Sequence, residues 1–348
     1  MLQFNNERVA THTNGEDIYL FKLTNSKNTQ VAITNYGAII QSFVIQNKEG
    51  GSQDIVLGFD DVNRYMDSDY YSKDYPYLGA VIGRYGNRIG HARFPIHGNT
   101  IQVSPNFDPH QLHGGYNGFD KKVWKPLVYE TAPVPRLVLQ HVSPDGDEGY
   151  PGNLTTNMEF TLSDDNELTY TITATTDKTT AVNITHHSYF NLNPDASPIG
   201  NHQVFINANH ILEQDSDFVT TGELLPVKGT AHDFTVFKKV DAEWNPADGY
   251  DQTFAVIKQD INTLAAATYV HKDEVQLQVY TNQPTVHFYT GRWIPNLTGK
   301  NGAQYGPYSG LCFETQVHPN AVNRPAFPNT ILEPGETYHH QTIYKIVS

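Results

Sequence analysis

The sequence predicts an all-β chain, a large antiparallel β-sandwich with very little helix. Three observations carry that prediction. Tyr and Phe are plentiful, at 21 and 17, and Val, Ile and Thr recur throughout; these residues suit a pleated, half-buried surface. Gly (26) and Pro (20) are spread between short apolar runs, as turns are spread between strands. Long apolar patterns of helical period are absent.

The elements follow in order. Strands are expected at 18–24, 29–35 and 39–46, with turn-like breaks at Asn25-Ser26-Lys27-Asn28 and Tyr36-Gly37. Four more are expected at 123–130, 136–142, 153–162 and 167–176. The polar stretches Asp145-Gly146-Asp147-Glu148-Gly149 and Ser163-Asp164-Asp165-Asn166 lie between them. Runs at 180–191, 203–206, 252–257, 274–282 and 285–290 continue the series, and 337–347 reads as a closing strand. Short helical turns fit 60–65, which starts with acidic residues, and 319–323. The length, 348 residues, suggests about two domains. All-β units often run long, however, and no composition shift marks a boundary. One sandwich spanning 1–348 is the simplest organisation; two stacked β domains is the competing one.

Charge and cysteine content narrow the function classes. A net charge of -14 repels nucleic acid and anionic membranes, and no Lys/Arg cluster offsets it. No apolar run reaches transmembrane length. The single cysteine, Cys312, excludes an intramolecular disulfide and, with the polar N-terminus, fits a cytoplasmic protein.

Glu314 is the most informative residue. It follows Leu311, Cys312 and Phe313 in a short apolar strand, and a buried carboxylate must be neutral, paired or held for chemistry. A structural arginine partner or an edge-strand position is the alternative. In the run 180–191, period two places Val182, Ile184, His186, Ser188 and Phe190 on one face, which reads as core. The other face carries Asn183, Thr185, His187 and Tyr189; it suits a ligand-binding surface, and more simply a solvated one. Neighbouring His186 and His187 point to opposite faces, so the pair does not make a metal site. His186 fits a hydrogen-bonded core histidine, and His187 is the functional candidate.

Gly83-Arg84-Tyr85-Gly86-Asn87-Arg88-Ile89-Gly90 is not a dinucleotide fingerprint, and no helix follows it. Its glycines let the backbone bend and present Asn87 and Arg88, a donor–acceptor set suited to hydroxyls; a turn with a structural arginine is the plainer reading. His113 precedes Gly114-Gly115, where backbone can approach a ligand. Asp251 lies just before a strand, and Gln283 precedes Pro284 at a strand junction. Each has a turn role as its alternative. A G-x-S-x-G elbow and a P-loop are both missing, and nothing marks Cys312 as activated.

Taken together these pieces resemble the aldose 1-epimerase (galactose mutarotase) family. The carrying segments are Asn35-Tyr36-Gly37-Ala38, Gly83 to Ile89, Leu112-His113-Gly114-Gly115, and His187-Ser188-Tyr189-Phe190-Asn191-Leu192. They continue with Tyr250-Asp251, Gln283-Pro284 with Phe288-Tyr289-Thr290-Gly291, and Glu314-Thr315-Gln316. Their joint order over most of the chain is the specific signal. The resemblance implies a single galactose mutarotase-like β-sandwich holding a monosaccharide in an open groove, without cofactor or metal. It further implies Glu314 as general base, His187 as general acid and His113 as the second active-site histidine. Asn87, Arg88, Asp251 and Gln283 match positions that bind the sugar or support the catalytic pair. His186, Gln252 and Asn320 depart from the family's common Asn, His and Asp, which leaves substrate preference open. The implied partner is a small sugar, with no nucleic acid or membrane, and the chain is a monomer or homodimer. A non-catalytic sugar-binding sandwich and 1-epimerases acting on a disaccharide or a hexose 6-phosphate are the competing readings.

Overall fold

Burial along the strands follows the pleat. In the computed structural model, which describes residues 3–46, 50–71, 75–271 and 275–347, the strand Leu154–Leu162 alternates buried and partly exposed positions along its whole length. Leu154, Met158, Phe160 and Leu162 face inward. The neighbouring strand Glu167–Thr176 does the same with Leu168, Tyr170, Ile172 and Ala174. Each large apolar side chain so buried contributes about 1.5–3 kcal/mol.

These strands belong to a nine-stranded sheet among the described residues. It runs from the edge strand Lys125–Glu130 through Arg136–Ser143, Leu154–Leu162, Glu167–Thr176 and the C-terminal Tyr338–Val347. It then continues through Gln276–Thr281, Leu264–Tyr269 and Gln203–Ile206 to Lys238–Lys239. Two five-stranded sheets supply further layers. One is N-terminal, Gln3–Thr11 to Ser52–Asp54; the other is ordered Thr220–Pro226, Ala208–Gln214, Asp251–Val256, Thr285–Tyr289, Cys312–Gln316. One apolar cluster joins all three sheets, with Ile33 and Phe43 from the first, Met158 and Ile172 from the large sheet, and Val286, Phe288 and Phe313 from the last. The architecture is the expected antiparallel sandwich, and helix among the described residues is confined to short 3₁₀ turns such as Val62–Met66 and Ala321–Asn323. No helix among the described residues is long and apolar enough to cross a membrane.

The strand expectations hold to within one or two residues at most positions, including 167–176 and 203–206. The expected start at Glu274 lies outside the described residues. Strands without a clear signature in the sequence include Gln3–Thr11, the hairpin Arg93–Ile96 with Asn99–Gln102, Ala208–Gln214, Thr220–Pro226 and Leu264–Tyr269. The run 180–191 is corrected. It is no continuous strand but two short bridging pairs, Thr180–Ala181 and Thr185–His186, followed by an isolated bridge at Phe190. Both of its faces are buried. Two of its polar residues are satisfied internally: Asn183 exchanges hydrogen bonds with the Val317 backbone, and the Thr185 hydroxyl donates to the Thr315 carbonyl. The face that reads as solvated is therefore packed.

Candidate active site

The strands Thr285–Tyr289 and Cys312–Gln316 are buried at every position. One face of each, with Val286, Phe288 and Phe313, packs into the core. Alternation turns His287 and Glu314 to the opposite face. Both residues there line a cavity of about 660 Å³. Antiparallel register sets His287 directly across from Glu314 on one side and from Thr253 on the other. Asp251, one pleat along, reaches the same cavity.

The glycine-rich segment and the His113 loop meet through the pair Arg88–Ile89 with Gln111–Leu112. This pairing sets His113 against Asn87. The His113 backbone N–H donates to the Asn87 carbonyl at 3.0 Å, and the Asn87 N–H donates to His113 Nδ1 at 3.2 Å. Neutral His113 therefore carries its proton on Nε2. Gly114 and Gly115 take positive φ, and a Cβ on either would run into the Gly83 carbonyl or the Glu148 carboxylate. Only glycine lets the loop turn there. The two arginines of the segment divide. Arg84 is structural: it donates to the Ser143 hydroxyl and to the carbonyls of Ser143, Pro144, Pro151 and Gly152. Arg88 lines the cavity between the Phe107 and Phe218 rings.

His187 arrives on the segment after Thr185–His186. Its Nε2 lies 3.5 Å from Glu314 Oε1, and its Nδ1 lies 3.5 Å from Cys312 Sγ. Glu314 is 1% exposed, and its Oε2 has no protein partner. His186 is the core histidine expected: fully buried, with Nδ1 3.1 Å from the Ser188 hydroxyl, its pKa pushed down to about 3 by burial.

The electrostatics are those of a buried, mixed-charge site. Burial lowers the His187 pKa, and the Glu314 charge works against that fall. Burial, together with His187 and Arg88, drives His113 well below the ordinary imidazole value, so it is a neutral donor. Burial opposes ionisation of both Asp251 and His287. Their mutual hydrogen bond overrides it, holding the Asp251 pKa low and the His287 pKa high. That bond is 2.9 Å from His287 Nε2 to Asp251 Oδ1, and Thr253 Oγ1 meets His287 Nδ1 at 2.8 Å. Arg88 is lowered by burial and supported by the charges of Asp251 and Glu314.

Glu314, His187, His113, Asn87, Arg88 and Asp251 thus share one cavity. Gln283 does not. It lines a separate cavity of about 320 Å³ with Asn282, Asn329 and His339. The reason is distance along the strand: Gln283 is four residues from His287, about 13 Å at the usual rise. His287 was not singled out from sequence, although a histidine alternating with apolar residues inside Thr285–Tyr289 marked it. The aromatic wall of Tyr71, Tyr75, Tyr77, Tyr189 and Tyr289 was equally unassigned. The ligand atoms of His113, His187 and Glu314 lie within 4.8 Å of one another, a donor set from three distant segments that spacing along one strand could not show.

A buried carboxylate–imidazole pair, flanked by hydrogen-bonding side chains in an aromatic-walled cleft of a β-sandwich, fits a carbohydrate-active protein. The sequence profile of the family described as aldose 1-epimerase matches residues 19–345. The chain is 40% identical over 322 residues to galactose mutarotase of Homo sapiens, covering 91% of this chain and 90% of that one. It is 33% identical over 352 residues to aldose 1-epimerase of Escherichia coli, covering 99% of each. Among solved structures, the aldose epimerase homologue from C. elegans superposes with a TM-score of 0.84 at 25% identity, covering 100% and 99% of the two chains. Galactose 1-epimerase from Lactobacillus acidophilus gives 0.82 at 25%, with the same coverage. The chain belongs to the aldose 1-epimerase family and is an isomerase of the carbohydrate-epimerase class.

Proposed function

We propose that this chain interconverts the α and β anomers of free aldohexoses such as galactose and glucose, with Glu314 as general base and His187 as general acid. The observation that carries the assignment is their 3.5 Å approach at the buried end of the cavity. Anomer exchange needs a proton removed from the C1 hydroxyl and one delivered to the ring oxygen. Both oxygens are bonded to the same carbon, so the two catalytic groups must converge on one point. Glu314 Oε2 is buried without a partner, which supports its role as the acceptor of the hydroxyl proton. Burial disfavours the His187 imidazolium, and the adjacent Glu314 charge supports it, so that the proton His187 donates to the ring oxygen is held against its paired carboxylate. Each positioned acid or base contributes about 10²- to 10⁴-fold. After rotation about C1–C2, closure on the other carbonyl face runs the transfers in reverse.

In this reading His113 Nε2–H and Arg88 donate to oxygens that gain charge, while Asn87 and Asp251 hold ring hydroxyls. Gln283 has no part, because it lines the other cavity. The whole chain acts as one sandwich domain, a reading supported by an apolar cluster that runs from Phe21 to Ile346. The substrate is a small free sugar and the reaction consumes no cofactor. Polarimetry on freshly dissolved α-galactose and α-glucose, against the spontaneous rate, tests the function. Glu314→Gln and His187→Asn should each lower kcat by about 10²-fold or more with thermal melts unchanged. Near-normal turnover in Glu314→Gln would remove the base assignment.

A further inference from the structure

We infer that His340 is a positioning residue for anomer exchange: from inside the sandwich it ties the segment that carries His187 to the strand that carries Glu314, and so sets the separation of the acid and the base. This rests on the mutarotase reading above and adds to it a residue outside the lining of the cleft.

The first observation is that backbone ladders do not set this separation. The strand Cys312–Gln316 is the last of its sheet among the described residues, paired on one side with Thr285–Tyr289. Its other side faces the segment that carries His187. Among the described residues, backbone bonds join the two at Phe190 and Leu311, which exchange N–H···O contacts of 2.7 and 2.9 Å. The His187 backbone is bonded elsewhere. Its N–H donates to the Ala80 carbonyl at 2.9 Å, and its carbonyl accepts from the Gly79 N–H at 3.0 Å. Next to the reacting pair, side chains make the join.

The second observation is which side chains do so. Alternation along Cys312–Gln316 sends Glu314 into the cleft and Thr315 into the sandwich. The Thr185 hydroxyl donates to the Thr315 carbonyl at 2.7 Å. Thr315 Oγ1 itself lies 2.9 Å from His340 Nε2, 2.6 Å from Thr342 Oγ1 and 2.9 Å from the Tyr170 hydroxyl. At the other end of the imidazole, His340 Nδ1 lies 2.9 Å from the Ile184 carbonyl. A carbonyl only accepts, so Nδ1 carries the proton and Nε2 accepts from the hydroxyls. One ring thus bridges Ile184, three residues before His187, and Thr315, the residue after Glu314. Tyr338, on the same face of the C-terminal strand, steadies the Ile184 end: its hydroxyl meets the Ile184 N–H and carbonyl, each at 3.2 Å.

The bridge is dry and keeps one protonation state. His340, Thr315, Thr342, Tyr170 and Thr185 are all fully buried, where hydrogen bonds are strong and networks rigid. Burial pushes the His340 pKa down to about 3, so the ring stays neutral near neutral pH. Rigidity matters here because a misplacement of about 1 Å at reacting groups can cost about 10²-fold in rate.

The test is steady-state polarimetry on His340→Phe, Thr315→Val and the double variant, with Thr315→Ser and Met158→Ala as controls. Thr315→Val keeps the side-chain shape and removes the hydroxyl, while Thr342 Oγ1 remains 3.0 Å from His340 Nε2. Each single variant should lower kcat by about tenfold or more with KM unchanged within about twofold, since the bridge sets the reacting groups rather than the sugar contacts. The double variant should fall no more than about threefold below the weaker single one, because both break one link. Thr315→Ser restores the hydroxyl and should keep kcat within about threefold. Met158→Ala, in the core of the large sheet, should melt lower and keep kcat within about twofold. The inference is overturned if Thr315→Val turns over normally, if the two losses multiply, if KM rises in step, or if Met158→Ala loses kcat as well. Should His340→Phe fail to fold, Thr315→Val against Thr315→Ser decides alone. Wild-type protein that accelerates no monosaccharide overturns the mutarotase reading instead, so the two failures are distinct.

Discussion

His287 faces Glu314 directly across two antiparallel strands, yet it donates its hydrogen bond to Asp251, 2.9 Å away. The imidazole thereby neutralises one carboxylate of the site and leaves Glu314 Oε2 without a protein partner. Thr253 fixes the other ring nitrogen. In the proposed mechanism His287 orients Asp251 toward the sugar hydroxyls and keeps the two carboxylates apart.

Replacing His287 with Ala should release the Asp251 carboxylate. Hydrogen bonds to charged groups are worth about 1.5–3 kcal/mol, so kcat/KM should fall by about ten- to a hundredfold. KM should rise more than kcat falls, because Asp251 binds rather than reacts. Steady-state polarimetry separates the two parameters. Unchanged KM would show that Asp251 needs no such partner.

Stability should decline as pH falls below about 6.5. His186 and His340 are fully buried with pKa values near 3, and His202 with a value near 4. Their folded values lie below the unfolded value of about 6.5, so the unfolded chain binds protons first. Each such group removes up to about 1.4 kcal/mol of stability per pH unit as pH falls, until its folded pKa is reached. Asp120, raised to about 6 by burial, works in the opposite direction between pH 6 and its ordinary range. One group against three leaves the net sign acid-labile. Thermal melts from pH 7 to pH 4 read this directly, and a flat profile would contradict it.

Gly114→Ala should disable the His113 loop. Gly114 has φ +87°, and an added Cβ meets the Gly83 carbonyl oxygen. Forcing that backbone conformation costs about 1–3 kcal/mol before any clash. A lower melting temperature together with a loss of kcat is expected. Gly146→Ala is the control, since it also has positive φ but nothing lies within 4 Å of its Cβ position. It should melt lower and keep its kcat.

Dialysis against a chelator should leave anomerisation unchanged. His113, His187 and Glu314 resemble a metal-binding set in their spacing. The reaction, however, needs only proton transfers, and Arg88 beside the set already supplies positive charge. Activity that disappears with the chelator and returns with a divalent ion would overturn the acid–base assignment.

Much of this molecule was legible before any coordinates. Strict alternation between turn residues marked Leu154–Leu162 and Glu167–Thr176 as strands. The apolar neighbours of Glu314 announced a carboxylate with no easy reason to be buried. Short motifs around Asn87, His113 and His187 pointed to one site, and local sequence is sufficient for that because each motif shapes its own turn. Other features depended on how strands are arranged in space. Period two says which residues share a face, but in Thr285–Tyr289 and Cys312–Gln316 both faces are buried. Only the packed layers reveal which face looks into the cleft. Cross-strand register, joining Thr253, His287 and Glu314, brings His287 in, and the length of the same strand carries Gln283 out to another cavity. The aromatic lining has the same origin: Tyr71, Tyr116 and Trp293 are far apart along the chain and line one cavity only because the fold brings their segments together.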